Sequence, residues 1–125
     1  MTTELAARNK QIVREIFEKI VNGGDADLAA KYYREDYIQH NPKVEQGLAG
    51  LQALIRQMHA TGNPMRAEIK LMNAEDDMVW LLIAWSGGEI PPGAPRLAQT
   101  AEIFRVEDGK MAEHWDVLQF ASRRR

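Results

Sequence analysis

The hydrophobic pattern of this chain changes period once, near residue 62. Up to about residue 60 apolar side chains recur at three- and four-residue steps; beyond about 65 they recur every second residue. The first spacing lines one stripe of a helix and the second lines one face of a strand. The order is therefore helices first and strands after, an α+β layer fold in which helices cover a curved sheet.

Within the first part, Leu5, Asn9, Ile12, Val13, Ile16, Phe17, Ile20 and Val21 form one stripe, and Gly23-Gly24 supplies its stop. A short second helix should follow, starting near Asp25 or Asp27 and burying Leu28, Tyr32 and Tyr33. Tyr37 to His40 is too short and too β-prone for a helix, and Asn41-Pro42 ends it. Leu51, Leu54, Ile55 and Met58 mark a third helix over about 48–59, closed by Thr61-Gly62-Asn63-Pro64.

Alternation predicts strands near 65–74, 77–88, 97–107 and 111–121, with hairpin turns at Glu75-Asp76-Asp77 and Glu107-Asp108-Gly109-Lys110. EIPPGAPR, between the middle two, reads as a stiff exposed loop. The run MVWLLIAW is apolar on both faces. Helices can cover one side of it, and a second copy of the chain is the simplest cover for the other. A homodimer is expected.

A length of 125 residues suits one domain, read here as 1–121 followed by a basic tail at 122–125. Net charge is -2, so the balance does not point to nucleic acid. Cysteine is absent, which excludes disulfides, thiolate chemistry and cysteine-ligated metals. The N-terminus lacks the apolar core of a signal peptide, and the longest apolar run, Met78 to Trp85, is too short to cross a bilayer as a helix. A cytoplasmic protein without membrane contact is expected. Neither HExxH, nor an EF-hand loop, nor a glycine-rich phosphate loop is present, so no metal and no cofactor are predicted.

The stretch EHWDVLQF carries the chemistry. On a strand it places His114, Asp116, Leu118 and Phe120 on one face, with Trp115, Val117 and Gln119 opposite. Cα atoms two residues apart are about 6.6 Å from one another. The imidazole and carboxylate can therefore pair, or both can line a pocket. Either arrangement suits a general acid or base, and equally an inert buried pair. Tyr37, His40 and Asn41 form a second polar cluster where a strand leaves the sheet; Tyr37 and Gln39 share one face, Ile38 and His40 the other. Trp80, Trp85, Trp115, Phe104 and Phe120 lie in the strands and are read as core, pocket wall or interface, with Trp80, Phe104 and Phe120 taken as candidates to contact a ligand. Glu102 shares a face with Thr100, Phe104 and Val106; that face could be the pocket's, but the reading taken is strand surface.

YYREDYIQHNPKVEQGLAG, with the late EHWDVLQ, resembles the SnoaL-like polyketide cyclase branch of the NTF2-like superfamily. That resemblance implies a cone-shaped α+β barrel, helices packed on a strongly curved mixed sheet around a cavity, commonly in a homodimer. It further implies aldol cyclisation or isomerisation by proton abstraction alpha to a carbonyl, without metal or organic cofactor, on a small hydrophobic carbonyl compound. Asp116 is then the acid/base, His114 its neighbour, and His40 an assisting group; Asn41, Tyr37, Trp80, Phe104 and Phe120 contact substrate. The same superfamily includes non-enzymatic ligand-binding modules and epoxide hydrolases, and those readings stay open beside the cyclase.

Overall fold

The computed structural model of the protein describes residues 2–121; the basic segment 122–125 lies outside them. Helix α1 (Thr2–Glu15) runs directly into a π-helical segment, Ile16–Val21, where Asn22 N–H reaches back five residues to the Phe17 carbonyl at 2.8 Å. Val13, Ile16, Phe17 and Ile20 are buried, and this layer packs on the sheet. The stop at Gly23-Gly24 has a steric reason. Gly24 has φ +78°, and a Cβ there would stand 2.9 Å from the His59 ring. Asn22 then clamps the helix end to the sheet: its Nδ2 donates to the Ala67 carbonyl at 2.9 Å, and Ala67 N–H donates to its Oδ1 at 2.8 Å.

After a short α2 (Ala29–Tyr32) the chain enters β1 (Tyr33–Gln39), longer than the sequence indicates because Tyr33 is already extended. Helix α3 (Gly47–Met58) packs against β1. Strands β2 (Arg66–Glu75), β3 (Met78–Ser86), β4 (Leu97–Glu107) and β5 (Lys110–Phe120) follow the predicted order within a residue or two. The sheet runs β1-β5-β4-β3-β2; β1 is parallel to β5 and every other pair is antiparallel. Asp108 and Gly109 both have positive φ, as a tight β4–β5 hairpin requires. Register breaks at Ile69/Leu71, Leu97/Gln99 and Arg105/Val106 curl the sheet towards the helices.

The alternation in β3 divides between the core and the outer face. Val79, Leu81 and Ile83 are buried in the core, while Trp80 is 51% exposed on the outer face. Leu71 and Val117 are also exposed on that face. Among the described residues no helix is long and apolar enough to cross a membrane.

Candidate active site

The concave face of the sheet and the helices enclose a cavity of about 240 Å³, whose walls include Phe17, Leu51, Ile55, Trp85, Leu97 and Phe104. Its polar end is assembled by pairing across β4 and β5. Glu102 stands opposite Asp116, and Phe104 opposite His114. Thus the two polar residues of EHWDVLQF line a pocket. Glu102 corrects the sequence reading, being 5% exposed and turned inward rather than on the strand surface.

Donor counting fixes the state of this end. Gln39 Oε1 accepts the Asn41 backbone N–H at 3.0 Å, so the Gln39 amide has one orientation and its Nε2 faces inward. That Nε2 donates to the Tyr37 hydroxyl at 2.9 Å and to His114 Nδ1 at 3.2 Å. The Gln39 amide thus assigns Nδ1 as the acceptor and Nε2 as the N–H donor. Nε2–H donates to Glu102 Oε1 at 2.5 Å. The other Glu102 oxygen accepts from the Thr100 hydroxyl at 2.5 Å, and Thr100 in turn accepts the Trp85 indole N–H at 2.9 Å. Glu102 thus accepts at both oxygens, as an ionised carboxylate does. The Tyr37 hydroxyl also lies 3.1 Å from Nδ1, whose one lone pair the Gln39 amide already engages, so its proton can turn to an oxygen in the cavity. Phe104 stacks on the imidazole at 4.4 Å and locks its plane.

Asp116 stands apart from this chain. Among the described residues its carboxylate accepts from Asn41 Nδ2 at 3.4 Å, a long bond. Tyr37 is 2% exposed, and burial pushes its phenol well above the usual range; Tyr33 and the Glu102 and Asp116 carboxylates add to the shift. Tyr37 is therefore a neutral donor at any ordinary pH.

Glu102, His114 and Asp116 offer ligand atoms within 4.8 Å of one another, enough to hold a divalent ion. Such an ion on His114 Nε2 would have to displace the proton now shared with Glu102.

Of the remaining sequence candidates, Asn41, Tyr37 and Phe104 line the cavity. His40 does not join them. The alternation that points Tyr37 and Gln39 inward turns His40 to the outer face, where Nε2 meets Glu113 Oε2 at 2.7 Å and the ring stacks on Trp115 at 4.8 Å. Trp80 also lies on the outer face, paired with Ile103. Phe120 shares the parity of Asp116 but is 50% exposed and is not part of the cavity wall. Trp85, one of the strand aromatics, is cavity wall, while Gln39 and Thr100 are site residues beyond the sequence candidates, legible only through shared parity with Tyr37 and Phe104.

A curved mixed sheet covered by N-terminal helices, with a polar cluster deep in an apolar cavity, defines an NTF2-like α+β protein. The family model described as the SnoaL-like domain matches residues 13–114, and the chain belongs to that family. Comparison with curated proteins finds no significant match. Among solved structures the chain is similar to TsrD from Streptomyces laurentii, at 27% identity and a TM-score of 0.74, over 90% of this chain and 88% of that one. An LEH-like epoxide hydrolase from M. tuberculosis shares the fold at 16% identity and TM-score 0.74, over 91% and 84%. A polyketide cyclase candidate from Acidithiobacillus ferrooxidans does so at 18% and 0.72, over 89% and 87%.

Proposed function

We propose that the protein is an acid/base enzyme that needs no cofactor and acts on a small, largely apolar carbonyl compound. Asp116 takes a proton from the carbon beside the carbonyl. The carbanion then attacks a second carbonyl, closing a ring, or is reprotonated elsewhere, giving an isomer. The observation that carries this reading is the contrast between two adjacent carboxylates. Glu102 spends both oxygens on buried donors, whereas Asp116 faces the cavity with one long contact.

The other roles follow from the hydrogen bonds. Tyr37 and Asn41 Nδ2 are the donors near Asp116 that can meet oxygen charge as it develops. His114, with Nε2 committed to Glu102, positions Tyr37. His40, implied as an assisting group by the family resemblance, has no part in this scheme. A cavity of about 240 Å³ falls below the ~300–1,000 Å³ usual for drug-sized ligands, which favours a small substrate. An epoxide-hydrolase reaction built on an arginine between carboxylates lacks support, since Arg96 reaches the Gly87 carbonyl and Arg105 pairs with Glu107 and Glu113.

The test is hydrogen–deuterium exchange at the alpha carbon of a panel of small ketones in D2O, followed by proton NMR. Asp116→Asn should slow exchange by roughly 10²–10⁴-fold while the circular dichroism spectrum is kept. Equal rates in parent and variant would remove Asp116 from the chemistry. Ligand affinity retained without any exchange would favour a binding module.

We infer in addition that the outer sheet face joins two copies. Leu71, Trp80 and Val117 are 66%, 51% and 65% exposed, too much apolar surface to leave in water without a partner. Val117→Glu should convert a dimer to a monomer in light scattering; a monomeric parent would overturn this.

A further inference from the structure

The Lys and Arg side chains of the described residues stay outside the cavity lining, while two carboxylates, Glu102 and Asp116, face each other across β4 and β5 within it. The one basic residue of the lining, His114, could offset at most one of them, and its Nε2 is spent on Glu102. The cavity end is thus negatively charged, with apolar walls that strengthen any charge interaction inside.

We propose that the site selects a small organic cation, an ammonium or iminium compound, over neutral or anionic molecules of the same shape. This rests on the acid/base reading of Asp116 and names its substrate class. Charge flow during the proposed step is the reason. With a ketone, the C–H bond breaks, its proton goes to an Asp116 oxygen, and the electron pair ends on the carbonyl oxygen as an enolate. One negative charge has only moved, and it still faces the Glu102 carboxylate. With an iminium, the same C–H pair becomes a C=C bond and the C=N π pair goes to nitrogen, giving a neutral enamine and protonated Asp116. The anion and the cation disappear together, and the Glu102 charge meets no new one. Before reaction, the cation offsets the negative charge of the two carboxylates. An anionic substrate meets repulsion from both.

The experiment titrates the full-length, 15N-labelled protein with cyclohexylammonium, cyclohexanone and cyclohexanecarboxylate at neutral pH, with a chelator present to keep metal ions away. The Trp85 indole N–H, two hydrogen bonds from Glu102, reports binding. The ammonium should bind at least roughly tenfold more tightly than the carboxylate, with the ketone between. Asp116→Asn, which preserves side-chain size, should reduce the preference for the ammonium over the ketone by about tenfold. Three results would each overturn the proposal: a carboxylate that binds as well as the ammonium, a preference that survives Asp116→Asn, or no saturable response to the ammonium. Ketone exchange in D2O with no ammonium preference defeats the cation selectivity alone. An ammonium preference that Asp116→Asn abolishes, without exchange on any carbonyl compound, defeats the catalytic reading alone.

Discussion

His114 and His40 make the same two kinds of contact on opposite faces of one sheet. Each imidazole Nε2 meets a glutamate, at 2.5 Å for Glu102 and 2.7 Å for Glu113, and each ring stacks on an aromatic neighbour, Phe104 or Trp115. What differs is the surroundings. The inner pair is 12% and 6% exposed at its side chains; the outer pair is 40% and 18% exposed. Inside, every donor and acceptor must be matched, which fixes the His114 tautomer and orders a chain from Trp85 to Gln39. Outside, water can replace any partner that is lost. The same kinds of contact therefore support a preorganised site in one place and a surface pair in the other.

Removing one member from each pair tests this contrast most strongly. His114→Ala leaves the Glu102 charge buried with Thr100 as its remaining donor. A loss of about 3–5 kcal/mol in urea unfolding is expected. His40→Ala should cost no more than about 1 kcal/mol. Equal losses would mean that burial does not separate the two pairs.

Asn9 supplies the missing case, burial without partners. It is 0% exposed in the helix stripe, and among the described residues neither its Oδ1 nor its Nδ2 has a hydrogen bond. Asn9→Leu keeps the approximate shape and removes two unsatisfied groups, so a gain of about 1–3 kcal/mol is expected in the urea midpoint. A loss instead would show that Asn9 has a hydrogen-bonding partner after all, such as a buried water.

Sequence periodicity carried the fold a long way. The change of period located three helices and four long strands, and Asp108-Gly109 marked the last hairpin, because these signals are local. Alternation also placed His114 and Asp116 on one face. The inward parity of Glu102 with Thr100, Phe104 and Val106 was legible, but its pairing with Asp116 depends on the β4–β5 register, and a strand glutamate is more often solvated than buried. Trp80 escaped for another reason: MVWLLIAW is apolar at every position, so alternation cannot say which half faces the core. His40 was the readable case. Its opposite parity to Tyr37 was visible, and the family signature drew it towards the site against that parity. The π-helical segment left no mark, since one extra residue in a turn hardly disturbs a stripe with three- and four-residue steps.

The smallest expected effect belongs to the outer glutamate, and its pH dependence sharpens the contrast. The bond from His40 holds the Glu113 carboxyl below the usual range, with a further contribution from Arg105 Nε at 3.0 Å, against an opposing push from partial burial. A carboxyl whose folded value lies below its unfolded one stabilises the fold above the unfolded value, about 4.3 for glutamate. That contribution fades as pH falls through the folded value. Glu113→Gln should therefore cost less than about 1 kcal/mol near neutral pH, with exposed His40 limiting the effect, and close to nothing near pH ~3. Salt at ~1 M, where screening acts within about 3 Å, should shrink the neutral-pH difference further. Paired urea titrations of parent and variant across pH measure it directly. A difference that persists undiminished in acid would show that Glu113 acts through packing on β5 rather than through charge, and would make the outer pair resemble the inner one more than its exposure implies.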